Sequence, residues 1–463
     1  MDPLIIVSSD SHAGMPKELW PEYLEARYHD LIPRLHEDNE VYPTAISLLT
    51  TKKGSTTMLP ELQEHHRDGW HGLHDPVLRL ADMDREGVAA ELIYHGDFRL
   101  GDLFHNTSNR RYPLEVWDAG ARAWNRWAAD TFGFAPDRFL LTGAIGPCQD
   151  MGTVLADLNF LAEHHFAGTY LPGYLRHPDT PPLSDAFWEP FWSACVERGL
   201  AVVVHAGFGW EQGVAFEQLE KIRDTVAAAA GSTDREALFA HADAVSDESI
   251  AFFFEFANSV RSRRPLWQLT LGGVFDSHPD LKLMLTEIRA DWIPATLRHL
   301  DAFYDAHRSE LAASRRPSEY WQQNCLAGAS FIHKAEVEMR HEIGIETLSF
   351  GRDFPHPEST WPHTTEWLRD AFAGVPEDEL RLLLGENIIR FLDLDRARLV
   401  ELARRIGPSV DDVLGHEGEV EQRLIDSFAN RGGYLKPAEG GTRLDEVDAL
   451  LHEDLAALVQ TRA

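Results

Sequence analysis

Cysteine is scarce: Cys148, Cys195 and Cys325 are the only three in 463 residues, and no two form a CxxC pair. That spacing excludes a disulfide framework and a thiolate zinc site, and free thiols suit a reducing compartment. Positive charge is also in short supply. The 43 Lys and Arg residues face 75 Asp and Glu, a formal charge of −32, which excludes non-specific attraction to nucleic acid or to an anionic membrane. Long hydrophobic runs are missing, and the start "MDPLIIVSSD" lacks the basic segment of a secretory signal, so a soluble cytoplasmic protein is expected. Nucleotide loops are absent as well: the glycines of "GFGWEQG", Gly207, Gly209 and Gly213, miss the GxGxxG spacing, and there is no P-loop. The "NTS" at Asn106 to Ser108 matches a glycosylation sequon, but without secretion it reads as loop sequence.

What the chain does have is a 44% hydrophobic content, ample for a large core. Eight short apolar runs alternate with amphipathic stretches, as parallel sheets and barrels do. The runs are "LIIVSS", "VAAELIYH", "FLLTGAI", "FAGTYLP", "LAVVVHA", "LKLMLTE", "CLAGASF" and "TLSFGRD". Between them, "DPVLRLADMDREG" offers Asp75 as an N-cap, Pro76 at the first helical position and Gly87 as a stop. The alternation predicts an α/β protein, a (β/α)8 TIM barrel with active-site residues at the C-terminal ends of its strands. Residues 16–74 and 211–265 are too long for ordinary loops and are expected to form lid-like insertions. The barrel domain is expected over 1–395, and 396–463 to be a helical extension offering a surface for self-association.

The strand ends collect chemistry. In "SSDSHAG", Asp10 and His12 follow the first apolar run two residues apart, so both reach the same side of an extended chain; a polar turn or cap is the alternative. His205, Glu287 and Asp353 end three other runs. Singly, His205 reads as a core histidine and Asp353 as a turn residue. Together, two imidazoles and three carboxylates suit one divalent cation such as Zn²⁺, Mn²⁺ or Fe²⁺. Trp210, Trp292, Trp361 and Phe354 lie just beyond strand ends, where they line an apolar substrate pocket or pack under the lid. His65, His66, His71 and His74 in "EHHRDGWHGLHD" belong to a polar insertion and read as lid surface.

The order of "DSH", "RLADMDREGV", "VVVHAG", "GGVFDSHPDLKLMLTE", "FGRDFPHPESTWP" and "LLGENIIRFLDLD" resembles the amidohydrolase-related branch of the amidohydrolase superfamily, which includes aminocarboxymuconate-semialdehyde decarboxylase and aromatic-acid decarboxylases. The resemblance covers roughly residues 4–395. It implies that His12, His205 and Asp353 are metal ligands and that Asp10 takes a place usually held by His or Glu. Glu287 stands where the decarboxylases carry a histidine, and Arg289 and Ala290 replace small glycines. His278 lies upstream and is expected to cap or pack a helix. The fourth run has no lysine to carboxylate, so one metal is expected rather than two. Glu287 and Asp353 are the expected catalytic residues, while Arg289 or Arg352 could hold a substrate carboxylate. The resemblance implies a metal-dependent enzyme acting on a small molecule. Hydrolysis of a C–N or C–O bond is the leading expectation, because three carboxylates around one ion repel an anionic substrate. Non-oxidative decarboxylation is the alternative. A non-catalytic ligand-binding barrel is a third reading, which a missing ligand would have favoured.

Overall fold

The computed structural model describes residues 2–52, 71–96, 103–105, 109–146, 150–172, 175–176, 180–257, 259–356, 359–415, 420–430 and 442–462. Cys148, His65, His66, the sequon at 106–108 and the Gly-rich break at 431–441 lie outside these residues.

Eight parallel strands form the centre: β1 (Ile6–Ser8), β2 (Val88–His95), β3 (Phe139–Gly143), β4 (Gly168–Tyr170), β5 (Ala201–Val204), β6 (Leu283–Thr286), β7 (Cys325–Ser330) and β8 (Leu348–Gly351). They are hydrogen-bonded in chain order, with each strand beside the next. Every residue of these strands is buried. Helices cover the outer face while side chains fill the interior, so the strands need apolar residues on both faces. All eight expected strands form, each ending within one or two residues of its apolar run.

Closure between β8 and β1 is made largely beyond the formal end of β1. Ser9 N–H donates to Phe350 O at 2.9 Å, Asp353 N–H to Asp10 O at 2.9 Å, and His12 N–H to Phe354 O at 2.6 Å. His12 and Ala13 then pair with Tyr94 and His95 at the end of β2. The chain segment carrying Asp10 and His12 is thus a strand continuation, held on both edges.

Helix α1 (Ile32–Lys52) lies in the first insertion, and α2 (Pro76–Arg85) precedes β2. Asp75 caps α2: its Oδ1 accepts from Val77 N–H at 2.9 Å and Leu78 N–H at 3.1 Å, an arrangement worth about 1 kcal/mol. Gly87 takes φ +73°, and a Cβ there would lie 2.8 Å from Pro408 Cδ, so the stop residue also permits a close chain contact.

The two insertions join each other. Val41, Ala45, Leu48 and Leu49 from α1 pack with Phe216, Leu219, Ile222 and Val226 of α3 (Val214–Ala230), and with Leu238, Ala242 and Val245. They share a small apolar core separate from that of the barrel. The extension ends in α5 (Leu444–Arg462), which docks on α4 (Arg264–Leu271) of its own chain. Asp454 accepts from Arg264 Nη2 at 2.9 Å, Trp267 Nε1 at 2.8 Å and Gln268 Nε2 at 2.7 Å. This face of α5 is therefore occupied within the chain. Among the described residues no helix is long and apolar enough to cross a membrane.

Candidate metal centre

Asp10, His12, His205, Glu287 and Asp353 converge at the C-terminal mouth of the barrel. His12 Nε2 lies 3.5 Å from Asp10 Oδ1 and 3.3 Å from Asp353 Oδ1. His205 Nε2 lies 3.5 Å from Asp10 Oδ1 and 3.2 Å from Glu287 Oε2. In a tetrahedral shell with ligands about 2.0–2.1 Å from the ion, neighbouring donor atoms are about 3.3–3.4 Å apart. The observed spacings are those of donors gathered around one ion. Four of the residues, Asp10, His12, His205 and Glu287, have donor atoms all within 4.8 Å of one another, and so do His12, Glu287, Asp353 and His356.

Burial sharpens the fit. Asp10 Oδ1, His12 Nε2 and His205 Nε2 are buried without a hydrogen-bond partner, an arrangement that is costly unless something else satisfies it. A divalent cation does so, and the mixed N/O donor set suits a borderline-to-hard ion. The remaining atoms of these ligands are held. His12 Nδ1 faces His95 O at 3.2 Å; because a carbonyl only accepts, Nδ1 carries the proton and Nε2 keeps its lone pair for the centre. Asp10 Oδ2 accepts from Ser330 Oγ, leaving Oδ1 directed at the two histidines. Burial, followed by the nearby His356 and His205, holds the His12 pKa well below its ordinary value, keeping the ring in its neutral, ligating form.

The backbone bends sharply here. Glu287, Arg289 and Asp353 have φ of 54°, 64° and 55°, the left-handed region that residues with side chains seldom occupy and that is concentrated at functional sites. Asp10 and Asp353 are fully buried, whereas the Glu287 side chain keeps 9% of its surface exposed.

The six expected pocket residues each have partners of their own. Arg352 is fully buried and bonded through Nε to Glu91 Oε2 at 2.8 Å; a buried guanidinium needs such a partner. Phe354 is fully buried beneath it, with the Arg352 guanidinium 4.7 Å from the ring centroid. Trp292 is also fully buried, its Nε1 donating to Ile288 O at 2.6 Å. Trp210 packs on Phe252 and Phe256 of the insertion, with ring centroids 5.4 and 5.5 Å away. Arg289 turns to Asp291, with Nε to Oδ1 at 2.9 Å, and Trp361 lies edge-on to Phe354 at 5.8 Å. His278 pairs with Glu189 at 2.7 Å, away from the centre.

Other residues form the recess beside the centre. His95, His105, Trp117, Ala144, Ile145 and Tyr170 line a small recess, with room for about one water molecule, at the ends of β2, β3 and β4. Burial holds the His105 pKa down at about 3, and burial with His105 as neighbour holds His95 well below its ordinary value. Both rings are therefore neutral at pH 7. The recess went unrecognised in the sequence because its residues come from three strand ends, a connecting segment and a helix. His356 was also missed: it stacks on His12 with centroids 4.0 Å apart, and its Nδ1 is 3.1 Å from Asp353 Oδ1. The Asp-x-x-His spacing was the available signal.

The amidohydrolase family model matches residues 59–394. No curated protein matches by sequence. Among solved structures, an amidohydrolase from Mycobacterium avium subsp. paratuberculosis superposes with TM-score 0.58 at 17% identity, covering 84% of this chain and 99% of that one. A 5-carboxyvanillate decarboxylase from Novosphingobium aromaticivorans, solved with manganese, superposes with TM-score 0.54 at 18% identity, covering 84% and 97%. The 2,6-dihydroxybenzoate decarboxylase from Rhizobium gives TM-score 0.52 at 19% identity, covering 85% and 99%. At these identities the likeness is one of fold.

Proposed function

The chain belongs to the amidohydrolase family, and from that premise we propose that it is a metal-dependent hydrolase cleaving a C–N or C–O bond in a small, uncharged, aromatic or otherwise apolar substrate. The observation that carries this reading is Glu287: it is the one carboxylate of the cluster with exposed side-chain surface, and its Oε2 lies 3.2 Å from His205 Nε2. Asp10, His12, His205 and Asp353 would hold the ion. When bound, a divalent ion supplies Lewis acidity and lowers the pKa of water from 15.7 to about 7.

Glu287 takes the proton from attacking water at Oε2 and returns it to the leaving nitrogen or oxygen. The neutral, aromatic wall at the ends of β2–β4, with Tyr170 and Trp117, faces the apolar part of the substrate. Arg289 and Arg352, the cations expected to hold a substrate carboxylate, are engaged by Asp291 and Glu91. That weakens the case for an anionic substrate.

A second reading, non-oxidative decarboxylation of an aromatic acid, is favoured by the fold likeness to the two decarboxylases. Product analysis separates the two. Metal-loaded protein given a panel of aromatic amides, esters and acids is expected to add water to an amide or ester without releasing carbon dioxide. Carbon dioxide from an acid, with every amide and ester intact, would establish the second reading instead.

A further inference from the structure

Behind the ion ligands lies a second cluster that plays no part in the proposed chemistry. Arg79 on α2, Glu91 on β2 and Arg352 after β8 are all fully buried. Glu91 joins the two arginines: Oε1 accepts from Arg79 Nε at 2.5 Å, and Oε2 from Arg352 Nε at 2.8 Å. Both guanidiniums lie on the ring of Phe354, each 4.7 Å from its centroid. Burial disfavours the Glu91 carboxylate, but the two guanidiniums outweigh it and hold the pKa below its ordinary value. The cluster is ionised, with one positive charge in excess.

The two arginines, and the phenylalanine between them, are each tied to a ligand. Arg79 Nη1 donates to His12 O at 2.5 Å. Phe354, between the guanidiniums, accepts His12 N–H at its carbonyl at 2.6 Å. Arg352 N–H donates to Ser8 Oγ at 2.9 Å, and that hydroxyl donates to Asp10 O at 2.7 Å. Asp353 is the residue after Arg352. His12, Asp10 and Asp353 are therefore positioned from three sides by groups that meet at a single carboxylate. The charges fit as well: three ligand-type carboxylates, a cluster with one excess positive charge and a divalent ion add to a neutral buried assembly.

We propose that Arg79, Glu91 and Arg352 are positioning residues of the metal centre, setting both the placement of its ligands and the fixed positive charge that a divalent ion completes. A cluster that only stabilised the barrel would affect folding and leave metal affinity alone. The proposal rests on the metal-centre reading, so the test reads metal binding rather than turnover.

Full-length protein is stripped by chelation and titrated with Mn²⁺, free Mn²⁺ being followed by electron paramagnetic resonance and folding by circular dichroism. Arg79→Lys keeps the charge but cannot serve Glu91 and His12 together. It is expected to stay folded and to weaken Mn²⁺ binding about 10- to 100-fold, the usual effect of losing support behind a ligand. Glu91→Gln, which leaves both arginines without their carboxylate, is expected to weaken it further. A folded Arg79→Lys protein with wild-type affinity overturns the proposal. So does failure of both variants to fold, which would make the cluster a folding element only. Wild-type protein that binds no Mn²⁺ overturns the metal-centre reading itself, and that arm is read first.

Discussion

The two sides of the barrel mouth are built on opposite principles. At the β8–β1 seam the side chains are ionisable, fully buried and cross-braced: Asp10, Asp353, Arg352, Glu91 and Arg79 each lie within a network of ion pairs or hydrogen bonds. Across the mouth, at the ends of β2–β4, the recess is aromatic and neutral, with two histidines stripped of charge by burial. Ionic bracing resists movement because a displaced buried charge loses its partner, which suits ligands that must stay within a few tenths of an ångström. An apolar wall tolerates varied neighbours, since packing energy depends on shape and area rather than direction. On the proposed reading, one side would hold the ion and the other would face the substrate.

The largest expected effects come from breaking the braced side. His12→Ala and Asp353→Asn should each lose bound metal and essentially all activity while the barrel remains folded, since the packed core lies below the mouth; elemental analysis alongside circular dichroism checks this. Glu287→Gln should come next. If Glu287 moves the proton, the rate falls about 10²- to 10⁴-fold with metal content unchanged. Loss of metal together with rate would make Glu287 a ligand, and turnover near normal with metal retained would return it to structural support. On the neutral side, Tyr170→Leu enlarges the recess and should raise KM about tenfold, equivalent to about 1.4 kcal/mol, with metal content unaltered. A fall in metal content there would erase the distinction between the two sides.

A further effect is on stability and concerns acid. Because His105 titrates at about 3 in the folded protein and near 6.5 when unfolded, only the unfolded chain takes up its proton between those values. The stabilisation is complete above pH 6.5 and is lost as pH falls, by about 1.4 kcal/mol per pH unit for this one group. Urea unfolding at pH 7 and pH 5 should show the decline, and His105→Phe should reduce it.

The strands and the five converging ligand-type residues were readable because both follow from chain-local rules. Apolar runs end where the chain leaves the core, and a polar residue at that point faces the mouth. Direction beyond the strand end was not readable. Arg352 and Asp353 are neighbours, yet one is bonded to Glu91 beneath the site and the other to the centre, with φ turning positive between them. Trp292 and Phe354 occupy similar positions after strands, but the partners that draw them inward, Ile288 O and the two guanidiniums, depend on tertiary contacts. The insertions were visible as excess length, whereas their shared core was not, because each supplies only half of it.

The seam through which Asp353 N–H reaches Asp10 O also sets a timetable for synthesis. Chains emerge from the amino end, and contacts distant in sequence form late. Asp10 and His12 are made well before the residues that close the barrel around them, which follow more than 330 positions later. The nascent chain thus carries a pair of ligand-type side chains with no cage to hold an ion. Capture of an ion at this centre would then be among the last events of maturation, so a chain interrupted before β8 should emerge without bound metal.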